Sequence, residues 1–442
     1  MGSAFGSRVT DVSHLEALVG ALSSKATLAP KRHRAGTHRV AFPIETLDRI
    51  RGLMHLMGIT RIANITGLDC IGIPVVMVVR PNSRQLSTSQ GKGIDLHAAM
   101  ASGLMEAVEG YHAERIGAPR VAGAYDDLRS ARRVVDVDLL PQSAEATFDP
   151  TATMLWIEGY DILQGEAVLV PYDVAHVDFR TDSEESAFFT RSSNGLGSGN
   201  HLLEAISHAI CELVERDAVA LTELEDEEVR NETLIDSGTV TDPACRLALE
   251  RFDAAGVAVV VWDNTTEIGL PTFSCLIADD ARSHWRLPIG GGSGCHPDRN
   301  IALLRALTEA AQSRLTIIAG SRDDTFPDEY RQFASDELLR KHVSELSGTG
   351  RRDVHEIPTY ETETIDDDVR LELELLAKAG FERTVAVDLS LCGIGVPVVR
   401  MVIPGLEMGL PWPETRYGTR ALAVLRGRWR RSVSRAEDSA GG

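Results

Sequence analysis

Three predicted helices that carry the same polar pattern constrain this 442-residue chain more than any other feature. In the first, over residues 94–116, Ser102, Glu106 and Glu109 are spaced four and three residues apart and therefore share one helix face. The helices predicted over 200–224 and 298–318 repeat this spacing with Glu204, His208, Glu212 and Glu215, and with Arg305, Glu309 and Gln312. The remaining residues of these helices are mostly apolar, which is typical of buried segments.

Two interpretations of these carboxylates are open. On an ordinary surface helix, such a stripe of charges is a solvated face. Here the opposite faces are apolar as well, and a buried carboxylate is costly unless a cation or a hydrogen-bond donor accompanies it. We therefore favour a buried site in which the glutamates are paired with Mg²⁺ and arginine.

Glycine-rich polar segments precede all three helices, at Ser89–Gly93, Ser192–Gly199 and Gly290–Asp298. We predict that they are loops whose backbone approaches a ligand and whose amides, at a helix start, attract an anion. A plain turn is the alternative for any one of them. None fits the Walker or the Rossmann glycine motif in its context, which argues against those two nucleotide sites.

The composition argues against several classes of protein. The formal net charge of −20 disfavours general nucleic-acid binding, because the phosphates would be repelled. No run of eighteen apolar residues occurs, so no membrane span is predicted. The six cysteines show no CxxC or CxxH spacing, which argues against a zinc site and a disulfide framework. A reducing cytoplasm fits this pattern.

From about residue 61 the pattern indicates an α/β fold. The predicted strands are Ile73–Val79, Met154–Tyr160, Ala167–Pro171, Val257–Trp262, Thr272–Ile277, Arg383–Asp388 and Val396–Ile403. Further helices are predicted over 241–254, 335–346 and 366–379. We divide the chain into an N-terminal extension at 1–60, a catalytic domain at 61–410 and a basic C-terminal tail at 411–442.

Several segments of the chain resemble the YcaO family. They are Gln90–Gly93 with Ser102–Glu109, Ser193–Asp217, Arg305–Arg314 and Val396–Glu407. The resemblance covers roughly residues 30–410. It implies an α/β YcaO fold, in which pseudo-repeated units with mixed sheets surround a buried Mg-ATP pocket, often in a homodimer. The implied activity is ATP-dependent phosphorylation of the oxygen of a peptide-backbone amide.

The resemblance also implies roles for individual residues. The implied Mg²⁺ ligands are Glu106, Glu109, Glu204, Glu212 and Glu215. The implied ATP-binding residues are Arg39, Thr46, Lys92, Ser102, Asn194, Arg216, Arg305, Glu309 and Gln312, of which Arg216 and Arg305 would contact phosphate during catalysis. Lys92 would touch either phosphate or solvent. His208, on the glutamate face, is a candidate to move a proton, and a structural buried histidine is the alternative.

The segment Gly36–Arg84 resembles a narrower branch, the YcaO proteins that occur with a TfuA partner, through sequences such as GlyThrHisArg and ArgProAsnSer. That branch implies thioamide formation on a peptide or protein substrate, with an external sulfur donor and a TfuA-like partner. The alternatives are an azoline-forming cyclodehydratase and a non-catalytic protein that binds ATP or a leader peptide. The chain departs from the azoline-forming branch because it ends in AlaGluAspSerAlaGlyGly, without the proline-rich terminus. It also has Gly110 where the family often has arginine.

Two further features each have two interpretations. Cys295, in the third glycine-rich segment, either carries sulfur or is incidental. The basic stretch Arg420–Arg431 is predicted to be a helix that either packs on the acidic body of the protein or docks a partner or an acidic peptide leader.

Overall fold

The structure is a computed structural model that describes residues 15–18, 20, 28–144, 146–180, 188–279, 288–324, 326, 350–408 and 416–440. The strands are β1 (Arg61–Asn64), β2 (Val75–Val79), β3 (Thr88–Lys92), β4 (Arg120–Ala124), β5 (Thr153–Asp161), β6 (Glu166–Pro171), β7 (Leu196–Ser198), β8 (Val257–Asp263), β9 (Thr272–Asp279), β10 (Gly290–Cys295), β11 (Val385–Asp388) and β12 (Val398–Val402). The helices are α1 (Pro43–Arg51), α2 (Leu96–Ala113), α3 (Tyr125–Ala131), α4 (Leu202–Leu224), α5 (Glu227–Glu232), α6 (Pro243–Ala254), α7 (Arg299–Ala319), α8 (Ile365–Lys378) and α9 (Thr419–Ala440).

Each predicted strand has a counterpart among these elements, and so do the predicted helices that fall on described residues. The helix predicted over 335–346 lies outside the described residues. None of the described helices is both long enough and apolar enough to cross a membrane.

The strands form three sheets, and neighbouring strands pair antiparallel throughout the described residues. The first sheet has the order β1–β2–β3 and the third has the order β10–β9–β8. The central sheet has the order β4–β5–β11–β12–β7, with β6 paired to β5.

The central sheet is covered by apolar packing on both faces. Because side chains alternate along a strand, Val385 and Val387 of β11 join the core cluster that includes β5, β6 and α2. Ala386 of β11 and Met401 of β12 face the other way, into the cluster formed with α4 and α8. This arrangement fixes α2 and α4 relative to each other through the sheet.

The three glycine-rich segments contribute strands to these sheets, so the prediction that they are loops is wrong. Their strands β3, β7 and β10 lie directly against the helices that follow them. A Cβ atom at Gly91, Gly197 or Gly294 would lie between 2.1 and 2.3 Å from a helix carbonyl oxygen, that of Ala99, Ala205 or Ala302. At these three positions glycine is therefore needed for the close approach of strand to helix.

These three strand–helix pairs share one register. We call β3–α2 the first unit, β7–α4 the second unit and β10–α7 the third unit. Counted from the packed glycines Gly91, Gly197 and Gly294, the polar residues follow 11, 15 and 18 positions later in each unit: Ser102, Glu106 and Glu109, then His208, Glu212 and Glu215, then Arg305, Glu309 and Gln312. The polar faces therefore occupy equivalent positions, and the fold turns them towards one centre.

The basic C-terminal stretch forms the helix α9 and packs on the acidic body of the protein. This packing agrees with the first of the two interpretations of that stretch. Arg420 donates hydrogen bonds of 2.9 Å to both carboxylate oxygens of Asp217, which is fully buried on α4. Arg428 lies 2.8 Å from Asp226. The opposite side of α9 stays open to solvent, since Trp429 is 67% exposed.

Candidate active site

A cleft of about 510 Å³ lies where the middle turns of α2, α4 and α7 meet, beside β3 and the segment 35–46. Its volume is in the range of small-ligand and cofactor sites. The sequence-predicted residues that line it are Arg39, Thr46, Lys92, Ser102, Glu106, Glu109, Glu204, His208, Glu212, Glu215, Arg216, Arg305, Glu309 and Gln312. The structure thus brings together side chains that are scattered between positions 39 and 312 of the chain.

Asn194 is the exception among the predicted residues. Its side-chain amide donates to the carbonyl of Met408 at 2.9 Å, and its own carbonyl accepts a hydrogen bond from Arg400. Its neighbour Ser193 lines the cleft instead. The structure therefore assigns Asn194 a part in holding the segment before β7.

Glu106, Glu109 and Glu212 form a group of neighbouring carboxylates in the cleft. Burial, followed by the charges of Glu212 and Glu106, raises the pKa of Glu109 to about 8, although a 2.7 Å hydrogen bond from Ser198 opposes the rise. Burial also raises the pKa of Glu212. The surrounding protein raises the pKa of Glu106 to about 7 by desolvation, although this side chain is more open to the solvent of the cleft.

This cluster of three carboxylates is suited to bind a divalent cation. Ionised carboxylates at close range repel one another, and a cation bound between them removes that repulsion. Carboxylate oxygens are also the protein ligands that Mg²⁺ takes, usually together with phosphate oxygens. Glu106, Glu109 and Glu212 are therefore the residues that would hold Mg²⁺ in this cleft.

The other two predicted metal ligands already have donors within the protein. Both oxygens of the buried Glu215 accept hydrogen bonds, from the Ser293 hydroxyl at 2.7 Å and from the Cys295 N–H at 3.1 Å. The buried Glu204 accepts from the Val40 N–H at 3.0 Å, and its other oxygen lies 3.6 Å from Arg39 Nε. Because these contacts stabilise both charges, Glu204 and Glu215 need a metal less than the other three glutamates do.

Several cations face the same cleft, and three of them lie next to its glutamates. Lys92 Nζ lies 2.5 Å from Glu309, while Arg216 and Arg305 lie 3.7 and 3.9 Å from Glu215. Burial alone would raise the pKa of Glu309, but the charges of Lys92 and Arg216 outweigh it and hold that pKa well below its usual range. Cations in this position can neutralise phosphate oxygens.

His208 is bound to one of these cations. Its Nδ1 lies 3.2 Å from Arg305 Nη1 and must accept that hydrogen bond, so its Nε2 carries the proton. Burial, followed by the charge of Arg305, lowers the pKa of His208 well below its usual value. The imidazole is therefore neutral and supports Arg305, and its use as a proton carrier stays a prediction.

The three units are joined through the residue that follows each packed glycine. In every unit this residue contacts a glutamate of another unit: Lys92 pairs with Glu309 at 2.5 Å, Ser198 donates to Glu109 at 2.7 Å, and the Cys295 N–H donates to Glu215 at 3.1 Å. The contacts run from the first unit to the third, from the second to the first and from the third to the second. They close a ring around the cleft.

Sequence reasoning missed several residues of this site. Ser198 and Asn200 line the cleft, and Asn200 Nδ2 donates to the predicted Thr46 at 2.9 Å. Arg400 is fully buried behind the cleft, where it donates to the Ser192 carbonyl at 2.8 Å. Burial lowers the pKa of Arg400 to about 10 against the attraction of Glu212 and Glu109. An arginine in the apolar strand ValProValValArg was the available signal for it.

The fold and this cleft define a class of ATP- and Mg²⁺-binding proteins. Residues 90–407 match the model of the YcaO cyclodehydratase family, which is described as ATP- and Mg²⁺-binding. The chain belongs to the YcaO family, as its motifs predicted, and ATP and Mg²⁺ are therefore its cofactors.

Two relatives extend over almost the whole chain. A protein of Rhizobium leguminosarum bv. trifolii, named for its place in the tfuA 3′ region, is 38% identical over 420 residues, which cover 93% of this chain and 98% of the relative. A protein of Methanothermobacter thermautotrophicus is 36% identical over 390 residues, which cover 86% of this chain and 97% of the relative. The Rhizobium protein supports the predicted TfuA-associated branch.

Two solved structures share the fold. A heterocyclase in complex with substrate and cofactor matches with a TM-score of 0.71 and 21% identity, over 87% of this chain and 55% of that chain. YcaO from Methanopyrus kandleri, bound with AMPPCP and Mg²⁺, matches with a TM-score of 0.66 and 23% identity, over 86% of this chain and 95% of that chain. The predicted YcaO architecture is confirmed, except that the described strands pair antiparallel where mixed sheets were expected.

Proposed function

We propose that this protein forms thioamides: it uses ATP to activate a peptide-backbone amide and replaces the amide oxygen with sulfur from an external donor, aided by a TfuA-like partner. Membership of the YcaO family supports the ATP-dependent modification of peptides, and the relative from the tfuA 3′ region supports sulfur as the incoming atom. The observation that carries the ATP-dependent step of the proposal is the cleft itself, in which the carboxylates of Glu106, Glu109 and Glu212 face the cations Lys92, Arg216 and Arg305.

The proposed reaction adds sulfur to the amide carbon and removes the amide oxygen as phosphate. A sulfur nucleophile adds to the amide carbon, forming a C–S bond and moving the electron pair of the C=O bond onto oxygen. Bound Mg-ATP supplies the phosphoryl group that this oxyanion takes up, and ADP is released. The C–O bond then breaks with loss of phosphate, and loss of the sulfur-bound proton leaves C=S.

The residues of the cleft position and stabilise these charges. Glu106, Glu109 and Glu212 would hold Mg²⁺, and Arg216 and Arg305 would neutralise the phosphate oxygens as negative charge moves between them. Lys92, which is paired with Glu309 in this structure, would reach phosphate by exchanging that partner. His208 would keep the Arg305 guanidinium in place through its Nδ1.

Comparative mass spectrometry of the host tests this function. The peptides of a strain that carries the wild-type protein are compared with those of a strain that carries Glu106→Gln, which removes one Mg²⁺ ligand. We expect at least one peptide whose mass is higher in the wild-type strain by the difference between sulfur and oxygen. That peptide, the purified protein, its TfuA-like partner, Mg-ATP and sulfide should then reproduce the change in vitro with formation of ADP and phosphate.

The same experiment separates the alternatives. A product lighter by one water molecule would identify an azoline-forming enzyme with the same ATP site. A substrate peptide that binds without any formation of ADP would identify a non-catalytic binding protein. Either result contradicts thioamide formation.

A further inference from the structure

A second cavity lies behind the cleft, between α4, α8 and the segment 38–39. We call it the rear chamber. Its volume is about 10 Å³, which is room for one water-sized molecule. It is lined by His38, Arg39, Glu204, Ser207, His208, Cys211, His296, Arg305, Ile365 and Asp368.

The rear chamber shares a wall with the cleft. Arg39, Glu204, His208 and Arg305 line both cavities. A single layer of side chains therefore separates the chamber from the phosphate-binding side of the cleft. A small molecule that leaves the chamber by this wall arrives next to Arg305.

Buried polar atoms converge on the chamber. His38, His296 and Asp368 are all buried, and each offers an atom within 4.8 Å of the other two. His38 is only 8% exposed, and its buried Nδ1 has no hydrogen-bond partner among the described residues. Because an unpaired buried polar atom is costly, this convergence calls for a small polar guest.

The hydrogen bonds of the chamber walls argue against a metal ion as this guest. His296 Nδ1 accepts from the Asp298 N–H at 2.9 Å, so the proton of the neutral ring is on Nε2, which then has no lone pair for a metal. Asp368 is already paired with Lys31, whose Nζ lies 2.9 and 2.8 Å from its two oxygens. A guest between the N–H of His296 and the carboxylate of Asp368 must accept one hydrogen bond and donate another.

The chamber also has a sulfur-rich side. The Cys211 thiol lines it and donates to Glu372 at 3.4 Å, and the Cys295 thiol lies next to Cys211. Thiols are soft, polarisable groups, so their dispersion attraction to another sulfur atom is stronger than to a water oxygen. The cations Lys31 and Arg305 lie nearby and would stabilise a guest that carries negative charge.

We propose that the rear chamber binds one molecule of hydrogen sulfide or its hydrosulfide anion and releases it into the cleft as the sulfur nucleophile. This molecule is small and polarisable, and it can both accept and donate a hydrogen bond. The inference rests on the proposed thioamide function and adds to it the place where sulfur waits for the amide. Sulfide from solution and sulfide released by a partner protein are the same ligand at this site.

A pair of variants at His296 tests the chamber. His296→Asn keeps an acceptor for the Asp298 N–H but removes the donor that faces the chamber, whereas His296→Gln keeps a donor at that distance. Anaerobic calorimetry of the full-length protein, loaded with Mg-AMPPCP, measures the binding of sodium hydrosulfide. We expect one site in the wild type, affinity about tenfold weaker in His296→Asn, and a change of less than about threefold in His296→Gln.

Two controls keep the test decisive. The affinity for Mg-AMPPCP should be unchanged in both variants, which shows that they fold. Should either one misfold, Ser207→Thr replaces it, because it keeps the hydroxyl for the 2.6 Å bond to Glu372 and adds a methyl group to the chamber wall. Crystals soaked in sodium hydrosulfide and measured at long wavelength should show an anomalous sulfur peak among His38, His296 and Asp368.

Several results would contradict the proposal that the rear chamber binds hydrosulfide. They are no hydrosulfide binding by the wild type, equal binding by His296→Asn and His296→Gln, and an anomalous zinc peak in place of sulfur. The experiments distinguish a wrong chamber proposal from a wrong proposed function. Thioamide formation with an unchanged dependence on sulfide in His296→Asn would reject the chamber and keep the function. Specific hydrosulfide binding in a protein that never yields a thioamide would keep the chamber and reject the function.

Discussion

The first and third units share a scaffold and differ in charge. In both, the last strand of a three-stranded antiparallel sheet packs its glycines against a helix whose polar residues follow the same register. In the first unit, burial and like charges raise the pKa of Glu109 to about 8. In the third unit, Glu309 lies beside Lys92 and its pKa is lowered despite burial.

The two units also differ in two of their three polar side chains. The first unit has Ser102 and Glu109 where the third has Arg305 and Gln312. The scaffold therefore determines where a polar side chain lies, and the identity of that side chain determines whether the position attracts a metal ion or a phosphate. Four predictions test this comparison.

The largest effect is expected where the shared scaffold is broken. A Cβ atom at Gly294 would lie 2.1 Å from the Ala302 carbonyl oxygen, whereas a Cβ atom at Gly291 of the same strand meets nothing within 4 Å. We expect Gly294→Ala to lower the free energy of unfolding by at least about 3 kcal/mol and Gly291→Ala to leave it nearly unchanged. Denaturant unfolding measures both, and equal stability of the two variants would refute the close-packing role of the glycine.

The next prediction contrasts Glu109→Gln with Glu309→Gln. Both should lower ATP turnover, by on the order of 100-fold, but their effects on stability without Mg²⁺ should have opposite signs. Because the folded-state pKa of Glu109 is raised, the wild type loses stability as the pH rises from the usual glutamate range to about 8. Glu109→Gln removes that loss, whereas Glu309→Gln leaves Lys92 without its carboxylate.

Thermal unfolding in EDTA at pH 9 checks this contrast. We expect differences of about 1 kcal/mol, positive for Glu109→Gln and negative for Glu309→Gln. At pH 5, where Glu109 is protonated in the wild type, the gain from Glu109→Gln should vanish. A gain at pH 5 as large as the one at pH 9 would assign it to packing instead of charge.

The third prediction concerns protons that leave when Mg²⁺ binds. The pKa values of about 7 for Glu106 and about 8 for Glu109 mean that, at pH 7 in the metal-free protein, Glu109 is mostly protonated and Glu106 is about half protonated. Binding of Mg²⁺ at pH 7 should release about one proton, and at pH 9 nearly none. Calorimetry in buffers of different ionisation enthalpy measures this number. A value near zero at pH 7 would mean that the carboxylates are already ionised and that the metal relieves no repulsion.

The smallest effect is expected from Ser198→Ala. The Ser198 hydroxyl donates to Glu109 at 2.7 Å and lowers its pKa, so its removal should raise that pKa further and weaken Mg²⁺ binding. We expect a loss of about threefold at pH 7 that shrinks at pH 9, where Glu109 is ionised in either protein. A loss that does not depend on pH would show that Ser198 contacts the ligand directly.

The sequence was sufficient to predict the helices α2, α4 and α7 and their polar faces, because a spacing of four and three residues is a local property of a helix. It was not sufficient for β3, β7 and β10, because strand patterns disfavour glycine and the helix that requires glycine there lies beyond the strand. Asn194 matched a motif, yet its amide turns to Met408, 214 residues away, which no local pattern encodes. The rear chamber was equally hidden, since His38, His296 and Asp368 become neighbours only in the folded chain.

The ring of contacts around the cleft has a consequence for the synthesis of this protein on the ribosome. Lys92 and Glu309 close the ring across 217 residues, so the first unit emerges long before its partner exists. At ordinary translation rates of 5–20 residues per second, that delay is roughly 10 to 40 seconds. During this time Lys92 has no Glu309, and a chain that stalls before α7 lacks the arginine and the carboxylate that complete the nucleotide cleft. A fragment that ends before α7 therefore lacks a complete nucleotide cleft.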